Sequence, residues 1–239
     1  IEIKDNQYLV TVIEYPSIKN LFFENNKRLK DEDLLEIANQ LNFNSLNNAS
    51  LELYLSELTN IYKSFGYNNS EIQVRSSIDS NDNTANLYFN INEGQITKIN
   101  KVIFNGNQFI QNDLILNVIK SKNKSLLNLL ANNNYKLFQV ENDLLKIKKL
   151  YRSYGYKDIE VEFKIEYLKS NKVNIIFDII EGDQYLFSSL KINNNLKDYN
   201  QSIQLAIDDF ILDNDDIENS LYDISSIEKF ENSLANILE

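Results

Sequence analysis

The sequence predicts an α+β protein made of tandem copies of one small module. Three observations predict it. The hexapeptides Tyr62-Lys63-Ser64-Phe65-Gly66-Tyr67 and Tyr151-Arg152-Ser153-Tyr154-Gly155-Tyr156 recur 89 residues apart. The closing Glu93-Gly94 and Glu181-Gly182 recur 88 residues apart. Between these landmarks the apolar period changes from helical to strand-like in the same order each time, which is the mark of an internal repeat.

Each module reads strand, helix, helix, strand, strand. The first strand is short and apolar, at 18–23 and again at 99–104. A tight turn follows, with Asn25 in one copy and Gly106 in the other, the two residue types that best tolerate a left-handed backbone. A short helix then opens near Asp31 or Asn112, both expected as N-caps, with acidic residues in the first turn. Its buried stripe is Leu34, Ile37, Ala38 and Leu41 in one copy, and Ile115, Val118 and Ile119 in the next.

The second helix has the stronger pattern. Leu51, Tyr54 or Leu55, Leu58, Ile61 or Tyr62, and Phe65 keep helical spacing, as do Val140, Leu144, Ile147, Tyr151 and Tyr154. Gly66 and Gly155 stand where a left-handed glycine ends a helix. Tyr62, Tyr67, Tyr151 and Tyr156 read either as packing at these helix ends or as a binding stripe. Two strands of period 2 close the module. Ile72, Val74, Ser76 and Ile78 face Ala85, Leu87, Phe89 and Ile91; Ile159, Val161, Phe163, Ile165 and Tyr167 face Val173, Ile175, Phe177 and Ile179. Half-polar strands imply one wet sheet face and one covered by helices. The expectation is a three-stranded mixed sheet under a helix pair.

The layout implied is the end of a preceding module at 1–15, one module at 16–94, a second at 95–183 with extra residues near 121–135, and an incomplete one at 184–239. In that last part a strand is expected at 189–192, and helices near 202–212 and 226–239. Gly94 and Gly182 follow the glutamates that close each module. The chain opens in mid-pattern without Met, which suggests a piece of something longer.

Composition narrows function. The 239 residues carry a net charge of −11. That disfavours nucleic acid and anionic membrane surfaces as main partners, since both need clustered Lys and Arg. With no His and no Cys, Ser-His-Asp and Cys-His sites and His or Cys metal sites are excluded. The acidic groups Asp208-Asp209 and Asp213, Asp215 and Asp216 offer carboxylates by number alone, and the latter lack the glycine of a calcium loop. There is no Gly-rich phosphate loop, and no cofactor is expected.

The β-α-α-β-β order, the Phe-x-Gly/Asn-Asn turn, the Tyr-x-x-Phe/Tyr-Gly-Tyr helix end and the Glu-Gly strand end resemble the POTRA domains of the BamA family of outer-membrane assembly proteins. The resemblance covers nearly the whole chain. The insertion at 125–135, ending at Tyr135, is similar to that of the third such domain, though leucines replace the usual Trp pair. On that register the chain spans the end of the first domain, all of the second and third, and about half of the fourth. The resemblance implies a periplasmic scaffold, attached to the outer membrane through a C-terminal β-barrel absent from these residues. Its partners would be unfolded outer-membrane proteins and accessory lipoproteins.

A binding mechanism follows from the strand pattern. The strand 160–167 (Glu160, Val161, Glu162, Phe163, Lys164, Ile165, Glu166, Tyr167) is expected at a sheet edge. There an extended client segment could add by β-augmentation. Its charged row, Glu160, Glu162, Lys164 and Glu166, reads equally as protection of an exposed edge against aggregation. Leu126, Leu127, Leu129 and Leu130 either fill the module core or form a docking patch. The alternatives in function are the POTRA region of another transporter, such as one for two-partner secretion or organelle import, and, from a different class, a carboxylate-dependent hydrolase. A hydrolase would need two carboxylates in one cleft.

Overall fold

A computed structural model describes residues 2–4, 7–9, 14–124, 132–189, 201–214, 219–223 and 225–238. The chain divides into two compact units, Ile1–Thr97 with Asn134–Leu137, and Lys98–Asn133 with Phe138–Glu239.

The first unit begins with an antiparallel pair, β1 (Glu2–Lys4) and β2 (Gln7–Leu9). Its main body runs β3 (Ser17–Glu24), α1 (Asp31–Gln40), α2 (Asn48–Phe65), β4 (Glu71–Asp79) and β5 (Thr84–Asn92). The strand order is β3-β5-β4. β3 lies parallel to β5, which the long helical crossover permits, and β4 lies antiparallel to β5 across a short turn. The register of β4 on β5 pairs Ile72 with Ile91, Val74 with Phe89 and Ser76 with Leu87, as the alternation requires. Leu34 and Ala38 of α1 and Tyr54, Leu58 and Tyr62 of α2 pack on Leu87, Phe89 and Ile91. The buried Tyr54 hydroxyl donates to the Leu34 carbonyl at 2.9 Å, tying the two helices together.

The second unit repeats this body. It runs β6 (Lys98–Asn105), α3 (Asn112–Val118), α4 (Leu137–Ser153), β7 (Glu160–Leu168) and β8 (Lys172–Ile180), with strand order β6-β8-β7. Its core holds Ile115, Val140, Ile147, Tyr151, Val161, Val173, Ile175 and Phe177, all buried. Two further helices, α5 (Gln201–Asp213) and α6 (Ser225–Leu238), follow, with Phe210 stacked on Phe230 at 4.1 Å.

Some expectations are corrected. Asp31 and Asn112 are the first helical residues, and the caps are Lys30 and Gln111. Asp33 reaches back to accept the Lys30 N–H at 2.9 Å. The side chains of Asp31 and Asn112 accept instead from Asn26 and Asn107, each at 2.7 Å, so they fasten the turn that follows the first strand. Tyr154 is outside the buried stripe of α4, at 40% exposure, because the helix is already ending there. Between β7 and β8 a three-residue loop, 169–171, makes the turn, with Ser170 and Asn171 at positive φ. The strand expected at 189–192 lies largely outside the described residues.

The Gly-Tyr helix ends form the same local structure twice. Gly66 has φ of +100° and Gly155 of +84°. The N–H of Tyr67 donates to Tyr62 O at 3.0 Å, and that of Tyr156 to Tyr151 O at 3.1 Å. That is the Schellman bond, and the expected apolar contact accompanies it: Tyr62 meets Tyr67 and Tyr151 meets Tyr156 edge to face. Tyr62, Tyr151 and Tyr156 are buried and Tyr67 is half-buried, so these rings pack and form no exposed stripe.

Candidate functional site

Both sheets have two edges, and the two edges differ. On the β3 and β6 side, the register slips between Ile18 and Asn20 and between Ile99 and Lys101. Such a bulge interrupts the row of backbone groups and discourages further pairing. On the other side, β7 pairs with β8 in one unbroken register from Glu160↔Ile180 to Leu168↔Lys172. β4 does the same from Glu71↔Asn92 to Asp79↔Thr84. No proline lies in either strand. Each therefore offers a straight row of N–H and C=O groups on its outer side, long enough to template another extended chain.

The side chains of β7 sort by face. Val161 is buried, Phe163 and Ile165 are half-buried, and Tyr167, at the end of the same row, is 71% exposed. Glu160, Glu162, Lys164 and Glu166 form the opposite row, and all are exposed. Lys164 Nζ donates to Asp178 Oδ2 at 2.7 Å on the neighbouring β8. That bond raises the Lys164 pKa and lowers that of Asp178, which also accepts from Asn105. Glu166 accepts from Asn174 Nδ2 at 2.7 Å. Glu160 and Glu162 have no ion-pair partner among the described residues.

Just after the central strand of each sheet, the closing glutamate ties together elements of its own module. Glu181 is 8% exposed and accepts the Phe109 N–H at 3.0 Å and the Tyr151 hydroxyl at 2.8 Å. Glu93, equally buried, accepts the Arg28 N–H at 2.6 Å. Burial, and then Glu93 itself, push the Tyr62 phenol above its usual pKa; burial and Glu181 do the same to Tyr151. Sequence reading saw these glutamates only as strand ends. Their 88-residue recurrence beside a recurring tyrosine was the signal available.

Asp143 was missed altogether. It lies on the buried face of α4, with no exposed side-chain surface. It accepts the N–H groups of Lys120 at 2.8 Å and Ser121 at 2.7 Å, and an ion pair from Lys146 at 2.8 Å. It thus anchors the segment that leads into the insertion. Leu126, Leu127, Leu129 and Leu130, the expected docking patch, lie outside the described residues.

Asp208, Asp209 and Asp213 are exposed on α5, and Asp215 and Asp216 lie outside the described residues. Among the described residues, no group of three or more acidic side chains is placed to hold a metal. A groove of about 610 Å³ is lined by Asn25, Lys27, Asn90, Glu93 and Gly94, but its Glu93 is already engaged by backbone. No helix is long and apolar enough to cross a membrane among the described residues.

Comparison with known proteins agrees with this architecture. The sequence model of the POTRA family, described as surface antigen variable number repeat, matches residues 16–94 and 97–182. The outer membrane protein assembly factor BamA of Buchnera aphidicola subsp. Acyrthosiphon pisum (strain APS) is 29% identical over 196 residues, covering 80% of this chain and 32% of that protein. BamA of Nitratidesulfovibrio vulgaris is 22% identical over 208 residues, covering 85% of this chain and 26% of that protein. The chain therefore spans about a third or less of the length of the curated relatives it matches. A crystal structure of Haemophilus influenzae BamA POTRA3-5 shares the fold with a TM-score of 0.50 at 15% identity, covering 93% of this chain and 85% of that one. With two successive family matches laid over two sheets of the same strand order, the chain belongs to the POTRA family.

Proposed function

We propose that this chain is part of the periplasmic scaffold of an outer-membrane β-barrel assembly machinery, attached to the outer membrane in the full-length protein. It binds unfolded outer-membrane proteins by strand addition at β7 and docks accessory lipoproteins. Residues 16–94 and 95–183 act as one domain each, and the flanking residues 1–15 and 184–239 belong to neighbouring ones. The chain works by binding, without catalysis.

The observation that supports this reading is the unbroken edge. β7 offers nine residues in continuous register, whereas the opposite edge of the same sheet is interrupted. Main-chain pairing reads the backbone and so tolerates many client sequences, which suits a carrier of varied barrel strands. A hydrolase would need carboxylates converging on a cleft, and the three exposed ones described on α5 do not supply that.

A proline pair tests the proposal. In an antiparallel ladder, successive N–H groups point alternately to β8 and away from it. Glu162→Pro and Phe163→Pro therefore differ in kind: one breaks the β8 ladder and lowers the melting temperature, and the other removes only an outward N–H. The variant that melts normally should bind an unfolded outer-membrane protein at least several-fold more weakly. Unchanged binding by that variant would contradict β7 as the client edge.

A further inference from the structure

We propose that β7 is selective for charge pattern as well as backbone, and takes extended segments in which apolar residues alternate with Lys or Arg. The inference rests on the strand-addition reading above and specifies the client chemistry at the same edge.

An added strand continues the pleat, so its alternate side chains fall on the two faces of the sheet. On the inner face they would lie beside Val161, Phe163, Ile165 and Tyr167. Tyr167 matters most here, because 71% of its surface is uncovered although it is in register with the fully buried Val173. An apolar residue of the incoming strand would cover it.

On the outer face the incoming side chains would lie beside Glu160, Glu162, Lys164 and Glu166. These positions are not equivalent. Lys164 is drawn back onto Asp178 at 2.7 Å, and Glu166 is held by Asn174 at 2.7 Å. Both bonds point across to β8 and away from the open side. Glu160 and Glu162 have no such bond among the described residues, and the carboxylate in register with Glu162, Asp178, is taken up by Lys164. The N-terminal half of the edge therefore carries two exposed carboxylates that no ion pair holds among the described residues, with Lys164 near enough to Glu162 to feel its charge. Directly opposed side chains on paired strands stand about 5 Å apart, where opposite charges attract and like charges repel.

β4 serves as an internal comparison. It holds the same place in its own sheet, but its exposed outer row is Glu71, Gln73, Arg75, Ser77 and Asp79. A cation stands at the centre of that row and polar residues flank it. The acidic pair is a property of β7 and not of the module.

Two ten-residue peptides test the proposal. Both carry the same alternating apolar row; one bears Lys and the other Glu on the polar row. Affinity for the chain is read by fluorescence anisotropy, and location by amide hydrogen exchange in β7. The Lys peptide should bind about three- to tenfold more tightly. The gap should close in high salt and in the Glu160→Gln, Glu162→Gln double variant, with β7 amides protected throughout. Equal affinity with β7 protected in both cases would overturn charge selection and leave strand addition standing. A Lys preference that persists in the double variant would also overturn it, since the preference would then belong to the net charge of the whole chain. Protection of β7 by neither peptide, nor by an unfolded outer-membrane protein that still binds, would overturn the strand-addition reading itself.

Discussion

Glu181 shows how one residue can be both a sequence landmark and a structural keystone. Its carboxylate satisfies a backbone N–H in the turn after β6 and the hydroxyl of Tyr151 on α4. One side chain thereby joins the end of the sheet, the first turn and the long helix. Removing it leaves two donors without an acceptor in a site that is 8% exposed, and such buried unsatisfied groups cost about 1–3 kcal/mol each. Glu181→Ala should therefore lower stability by about 2–3 kcal/mol, measured by urea unfolding. A loss below about 0.5 kcal/mol would show that water replaces the carboxylate. Asp143 is the complementary case. It stands 89 residues after Tyr54, at the corresponding place in the second long helix. Tyr54 there donates to the Leu34 carbonyl, whereas Asp143 accepts from Lys120 and Ser121. The Lys146 three residues on reads in the sequence as an ordinary surface pair, and the two backbone groups that Asp143 binds lie more than twenty residues away, so nothing local announced its burial.

At the scale of elements, the helix ends were legible and the sheet edges were only half so. The Tyr-x-x-Phe/Tyr-Gly-Tyr segments carry their own instructions: a glycine that accepts positive φ and an apolar residue that folds back on the last turn. Gly155 has a further constraint, because a Cβ there would lie 2.8 Å from the Tyr185 carbonyl oxygen. Gly155→Val should cost about 1–3 kcal/mol from backbone strain alone, and more with that contact. A calorimetric scan checks it, and an unchanged melting temperature would refute the cap. The strand alternation gave the pairing partners of β4 on β5 and β7 on β8, since a one-residue slip would turn every apolar side chain to water. It could not give the bulges in β3 and β6. A bulge arises from how a strand meets its neighbour, and neither Ile18-Lys19-Asn20 nor Ile99-Asn100-Lys101 has a local signature for it. Yet that contrast distinguishes the interrupted edges from the open ones. The helix starts were off by one residue for a similar reason: Asp31 and Asn112 are used by an asparagine of the preceding turn.

For the molecule as a whole, the recurrence of Gly66 and Gly155, and of Glu93 and Glu181, made the repeated β-α-α-β-β body readable before any coordinates. The repeat exposes its landmarks because each module must rebuild the same joints from the same few special residues. What differs between copies was less legible. The leucine-bearing insertion and the charge row of β7 each occur once, so no internal copy tests a reading of them. The continuous edge is common to β4 and β7, so the client selectivity proposed for β7 depends on one of these differences, its acidic outer row.

The most direct measurement is amide hydrogen exchange across β7, with and without an unfolded outer-membrane protein. In the free chain, alternate amides from Glu160 to Leu168 should exchange fast, because half of the ladder faces outward. With client bound, those fast amides should slow by at least tenfold while the amides facing β8 stay as they were. Fast exchange at the outward amides of β7 under saturating client would contradict strand addition at this edge.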